Sequence, residues 1–87
     1  MRGLAAKELG IGIIGTGFMG KAHAFAYRAA LAAFPDIPRP RLEMIADVSE
    51  ALASGAAHQY GFARPTTDWR VLVNDPRIDV VSITTPN

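Results

Sequence analysis

The sequence predicts an α/β domain built on a parallel β-sheet. Short apolar runs alternate along the chain with helix-length segments, as in successive β-α-β units. The first run, inside "LGIGIIGTGFMG" at 9–20, lacks the polar alternation of a half-exposed strand and reads as buried on both faces. It then breaks into three glycines spaced Gly-x-Gly-x-x-Gly, at the point where a strand hands over to a helix.

The elements follow in order. Residues 9–15 form the first strand, and 18–34 the first helix. In that helix Ala22, Phe25, Ala26, Ala29 and Ala33 recur at helical spacing and are expected to face the sheet. Pro35, Pro38 and Pro40 end the helix and stiffen the loop after it. The second strand, "RLEMIA", covers 41–46 and leaves Asp47 at its carboxyl end. Ser49 is the expected N-cap of a helix running to Tyr60, with Leu52, Ala53, Ala56, Ala57 and Tyr60 inward and Gly61 as C-cap. Residues 62–66 form a short third strand, which Pro65 confines to an edge. Thr67 is expected to cap a short helix over 68–74, with Trp69, Leu72 and Val73 inward. After a turn at 74–76, the last strand covers 78–84. Right-handed crossovers then give four parallel strands in the order 3-2-1-4, with a switch point between strands 1 and 4. Ligands of such sheets bind there, outside the carboxyl ends of the strands.

Composition narrows the function. With 87 residues the chain is one small domain, and its net charge of +1 comes from scattered basic residues. Nothing in that balance favours nucleic acid or an anionic membrane. Cysteine is absent, which excludes disulfides, thiolate catalysis and zinc–thiolate sites. No apolar run approaches the roughly 18 residues that a membrane span needs. The start, "MRGLAAKE", is too short in apolar residues for a signal peptide, so a cytoplasmic location is expected.

The glycines suit a phosphate. A helix N-terminus offers free N–H groups and roughly half a positive charge. Gly15 permits the tight turn off the strand. Gly17 leaves room for a pyrophosphate to reach the backbone, and Gly20 lets helix and strand pack closely. The amides of Phe18 and Met19 are the expected donors. The alternative is a glycine-rich turn that holds no ligand. Asp47 lies 27 positions after Gly20, a longer interval than the common one of about 20, and the proline loop absorbs the excess. An Asp there accepts from both hydroxyls of an adenosine ribose and repels a 2′-phosphate. No Arg follows it in "DVSE", so NAD is favoured over NADP. Its alternative role is a solvated cap for the next helix.

Thr84, Thr85 and Asn87 sit where the last strand meets the switch point, either to hold the ribose or nicotinamide side of a cofactor or to cap the strand end. His23, three residues after Gly20, has no partner at metal spacing and reads as a packed or loop-bonded side chain. Trp69 and Phe25 read as core. The competing functions at this level are a dehydrogenase, a non-catalytic nucleotide-binding module, and an S-adenosylmethionine-using enzyme. The third is disfavoured by a turn shaped for pyrophosphate.

Taken together, "IGIIGTGFMGKAHAFAYR", "MIADVSEALA" and "TTDWRVLVNDPRIDVVSITTPN" resemble the amino-terminal part of the glucose–fructose oxidoreductase and inositol dehydrogenase (Gfo/Idh/MocA) family, from residue 9 to residue 87. The resemblance implies a Rossmann-type nucleotide domain followed by a second α/β domain. It also implies hydride transfer between a nicotinamide cofactor and a secondary alcohol of a sugar, inositol or related polyol, and a homo-oligomer. By it, Gly15, Thr16, Gly17, Phe18, Met19 and Gly20 would hold the pyrophosphate, Asp47 the adenosine ribose, and Thr85, Pro86 and Asn87 the nicotinamide end. The family's catalytic Lys lies in a Glu-Lys-Pro segment, and its usual His and Asp lie in the second domain. This sequence has no Glu-Lys-Pro, so no catalytic residue is assigned. The chain therefore reads as the first part of a dehydrogenase, inactive alone, with four strands of a larger sheet. A four-stranded piece would expose strand 4 as an edge and is expected to self-associate.

Overall fold

The computed structural model describes residues 8–85. Its elements are β1 (Glu8–Ile14), α1 (Phe18–Ala33), β2 (Arg39–Ala46), α2 (Glu50–Tyr60), β3 (Arg64–Thr66), α3 (Trp69–Val73) and β4 (Val80–Ile83). They form a four-stranded sheet in the order β3-β2-β1-β4, with every neighbouring pair parallel. This is the predicted Rossmann-type topology.

Both faces of the sheet are covered at its centre, as the unbroken apolar run of β1 requires, while Val81 and Ile83 of β4 are exposed. On one face Ile11, Ile13, Leu42 and Ile45 pack with Ala24 of α1 and with Ala56, Ala57 and Tyr60 of α2. On the other, Met44 and Ala46 pack with Leu72 of α3. A hydrogen bond between Tyr27 and Ser82 (2.7 Å) ties α1 to β4, and Arg28 Nη1 donates to the Tyr60 carbonyl at the end of α2 (2.8 Å).

The local signals at α2 act as expected. Ser49 Oγ accepts from the Leu52 N–H, and Gly61 closes the helix in the left-handed region at φ 84°. β3 is the edge strand that Pro65 allows.

Several expectations are corrected. Ala22, Phe25, Ala26, Ala29 and Ala33 are exposed, and α1 instead turns Gly20 and Ala24 to the sheet with Tyr27 half-buried. The cause is Gly20: a Cβ there would drive into the Gly15 carbonyl oxygen, so the closest approach of helix to strand fixes the rotation of α1. Leu52 is exposed on α2. Asp68, not Thr67, caps α3, accepting from the Arg70 N–H (3.0 Å), while Thr66 Oγ1 accepts from the Asp68 N–H (3.1 Å). Of the three residues expected inward on that helix, Leu72 alone is buried. Two strands are shorter than expected: β3 starts at Arg64 rather than 62, and β4 spans 80–83 rather than 78–84.

Glu43 went unremarked in the sequence and is a pillar of the fold. The β1–β2 register slips by one residue, with Ile11 opposite Leu42 but Gly12 opposite Met44, so Glu43 is the extra residue of a bulge. It is only 5% exposed. Arg41 Nε donates to Oε1 (2.9 Å), and Arg64 Nε and Nη2 donate to Oε2 (3.1 and 2.8 Å). Arg64 also bridges to Asp75 (2.6 Å). Burial pushes the Glu43 carboxyl up, but the bonds from Arg41 and Arg64 outweigh it and hold the group below its ordinary range.

Candidate nucleotide site

The site is assembled at the carboxyl ends of β1, β2 and β4, where the topology predicts it. Each of the three glycines meets a different constraint. Gly15 has φ 110°, a backbone state that other residues rarely adopt, and a Cβ there would lie 2.6 Å from Thr84 Oγ1. Gly20 is closed by the Gly15 carbonyl. Gly17 differs from both: its φ of −74° suits any residue, and a Cβ there would meet nothing within 4 Å. Neither backbone nor packing requires glycine at 17, and the space beside it is open.

Main-chain donors are present beside it. The first main-chain bond of α1 is from the Lys21 N–H to the Gly17 carbonyl (2.9 Å), and Gly17 provides no side-chain cap. The N–H groups of Phe18, Met19 and Gly20 have no protein acceptor among the described residues. Phe18 is 82% exposed and Met19 about half. These side chains add nothing to the core at the place where the amides are free.

Asp47 stands just beyond β2 and reaches back to the glycine turn. Its Oδ2 accepts from the Thr16 hydroxyl (2.7 Å) and the Thr16 N–H (3.2 Å), and its Oδ1 accepts from the Ser49 N–H (3.2 Å). Burial pushes this carboxyl up, but the bond from the Thr16 side chain, followed by main-chain N–H groups, carries it below the ordinary range. It is therefore ionised at neutral pH. Thr84 closes the far side of the turn: its N–H donates to the Ile14 carbonyl (2.9 Å), and its hydroxyl to the carbonyls of Ile14 (2.9 Å) and Gly15 (3.3 Å). Its hydroxyl proton is thus engaged by the turn. Thr85 is exposed beside it. Pro86 and Asn87 lie outside the described residues.

A cavity of about 470 Å³ opens beside Asp47, lined by Ile14, Ala46, Val48, Thr67, Trp69, Ile83 and Thr85. That volume is typical of small-molecule sites, about 300–1,000 Å³. Its walls are mostly apolar, with the hydroxyl-bearing Thr67 and Thr85 among them, and Asp47 is the one ionisable side chain lining it. Trp69, expected in the core, is half-exposed and forms one wall. Val48 is 91% exposed. An apolar residue left in solvent directly after a strand-end acid was the available signal for this wall. Half-buried His23 joins no group of three or more acidic, His or Cys side chains among the described residues, and no such metal-holding group occurs there. No helix of the described residues is long and apolar enough to cross a membrane.

Residues 9–87 match the family described as oxidoreductase family, NAD-binding Rossmann fold (Gfo/Idh/MocA). The chain belongs to this family. It is 46% identical over 82 residues to a levoglucosan dehydrogenase of Pseudarthrobacter phenanthrenivorans, covering 93% of this chain and 21% of that protein. Among solved structures, levoglucosan dehydrogenase in complex with NADH and L-sorbose matches with a TM-score of 0.87 at 45% identity, over 93% of this chain and 22% of that one. An NAD binding oxidoreductase from Klebsiella pneumoniae matches with a TM-score of 0.87 at 52% identity, over 92% and 22%. An apo scyllo-inositol dehydrogenase from Lactobacillus casei matches with 0.74 at 28% identity, over 95% and 23%. The chain thus spans about a fifth of the length of the relatives it matches.

Proposed function

We propose that this chain is the NAD-binding part of an oxidoreductase that moves a hydride between a nicotinamide cofactor and a secondary alcohol of a sugar or polyol. The observation that carries the reading is Gly17, a glycine that neither conformation nor packing requires, beside three amides without protein partners among the described residues. Gly17, Phe18, Met19 and Gly20 would hold the pyrophosphate, with the Phe18 and Met19 amides as donors, while Gly15 shapes the turn and Thr16 acts on it through its bonds to Asp47. Asp47 would accept from the adenosine ribose, and the apolar cavity beside it suits the adenine. Thr84 would act through the turn it braces, and Thr85, Pro86 and Asn87 would lie toward the nicotinamide. Bound NAD would supply the hydride acceptor; the residues of this chain bind and orient it.

The relatives support the substrate class: one is a levoglucosan dehydrogenase solved with NADH and L-sorbose, another a scyllo-inositol dehydrogenase. The base that takes the alcohol proton would belong to a second domain. The near-zero net charge and scattered basic residues favour neither a nucleic-acid nor a membrane partner. The homo-oligomer is proposed from the family resemblance alone, and a cytoplasmic location is proposed with it. The test is a titration of the protein at its natural length with NADH and NADPH, followed by NAD reduction assays over a panel of anhydrosugars, sugars and inositols. NADH binding more tightly than NADPH, with turnover of at least one of these alcohols, is expected. A preference for NADPH would overturn the role given to Asp47.

A further inference from the structure

Asp47 has fewer acceptor sites to offer a ligand than its position suggests. An ionised carboxylate has about four such sites. Two, on Oδ2, are taken by Thr16, through its hydroxyl at 2.7 Å and its N–H at 3.2 Å. A third, on Oδ1, is taken by the Ser49 N–H at 3.2 Å. The neighbouring Val48 N–H also favours the charged carboxylate, so the acceptor capacity left for a ligand lies on the Oδ1 side and is small. Of these donors the Thr16 hydroxyl is the only side chain, and its bond is short, as charge-assisted O–H···O⁻ bonds are.

We infer that Thr16 is a positioning residue for cofactor choice, its hydroxyl pinning Asp47 Oδ2 to the glycine turn and so fixing the orientation in which the carboxylate meets the adenosine ribose. This rests on the NAD-binding role proposed above. Thr16 lies between Gly15 and Gly17, so the same bond ties the turn to the end of β2. A pinned carboxylate presents its free acceptor without first losing rotational freedom, which favours a ribose hydroxyl. It also cannot turn aside from a 2′-phosphate or take up a proton to accommodate one. The bond from Thr16 holds the carboxyl in its charged form against the burial that opposes it.

The experiment compares Thr16→Val, which keeps the shape and removes the donor, with Thr16→Ser, which keeps the donor, both in the protein at its natural length. In Thr16→Val the dissociation constant for NADH is expected to rise about tenfold and the preference for NADH over NADPH to shrink by a similar factor, the effect of one hydrogen bond to a charged group. Thr16→Ser should retain both. A second readout needs no cofactor. In a carboxyl-carbon NMR titration the Asp47 midpoint should move up toward the ordinary carboxylate range in Thr16→Val and stay depressed in Thr16→Ser. An unchanged preference and midpoint in Thr16→Val would overturn the inference while leaving the NAD reading intact. So would a Thr16→Ser variant as impaired as Thr16→Val, since the methyl packing would then be responsible. If the unaltered protein binds neither dinucleotide, the NAD reading fails, and this role for Thr16 fails with it.

Discussion

Toward the amino end of the sheet, Arg41, Glu43, Arg64 and Asp75 bridge one another in a continuous network that Glu8 and Arg77 extend, and Asp79 is bound to the Gly10 N–H (2.8 Å). At the carboxyl end the turn leaves three main-chain N–H groups without partners among the described residues, an open space beside Gly17 and a mostly apolar cavity with one carboxylate. One end spends its polar groups on the fold, and the other leaves them for a ligand. The difference shows where binding residues are to be sought in a small α/β domain. They lie where donors remain unmatched, and dense ion pairs mark the opposite end.

Two substitutions should break the structure and leave the comparison standing. Gly20→Ala is the more severe, because the added Cβ drives into the rigid Gly15 carbonyl. A loss of about 3 kcal/mol in urea unfolding, or failure to fold, is expected. Glu43→Ala should come next. Removing a buried carboxylate from its partners costs about 3–5 kcal/mol when the whole pair is buried. Here Arg41 and Arg64 are each about a third exposed and can be rehydrated, so about 2 kcal/mol is expected. The affinity of the folded Glu43→Ala protein for NADH should be unchanged; a tenfold loss would show that the two ends are not independent.

The sheet was legible because its signals are local: a buried strand that ends in glycines, proline loops, and caps at Ser49 and Gly61. The order 3-2-1-4 followed from the alternation of elements. The rotation of α1 was not legible, because a helix rich in alanine presents an apolar stripe at almost any angle. What fixes the angle is a missing Cβ at Gly20 against a carbonyl five residues away. Glu43 was passed over because its partner Arg64 is 21 residues distant and the bulge that turns it inward leaves no local mark. In the site, Gly15, Gly17, Gly20 and Asp47 were read from spacing. The bond from Thr16 to Asp47 joins residues 31 apart and emerges only once β1 and β2 lie side by side.

Gly17→Ala sharpens the contrast from the other side. Its Cβ meets no atom of the chain, and alanine is a poorer N-cap than glycine, so stability should fall by no more than about 1 kcal/mol. NADH affinity should fall at least about tenfold, because the methyl enters the space assigned to the pyrophosphate. Paired with Gly20→Ala, the same added methyl three residues away should give opposite readouts: binding lost with the fold kept at 17, and the fold lost at 20. A Gly17→Ala protein that binds NADH normally would remove the main support for the site.

The smallest effect is the response to acid. Glu43, Asp47 and Asp75 are all held below their ordinary ranges. Asp75 goes down to about 2, first through the Arg77 N–H and then through Arg64. A group with a depressed folded value binds protons more readily when unfolded, so its contribution is fully present above the unfolded value and is lost as pH falls through the folded one. The unfolded values lie near 4. Stability measured in urea should therefore be flat with respect to these carboxylates from pH 5 to 7, and should decline between about pH 4 and about pH 2. In Glu43→Ala this acid decline should be shallower than in the unaltered protein, since one of the depressed groups is gone and Arg64 retains Asp75 alone. In Thr16→Val it should also be shallower, through Asp47. An equally steep decline in both variants would place the acid-sensitive carboxylates elsewhere in the protein.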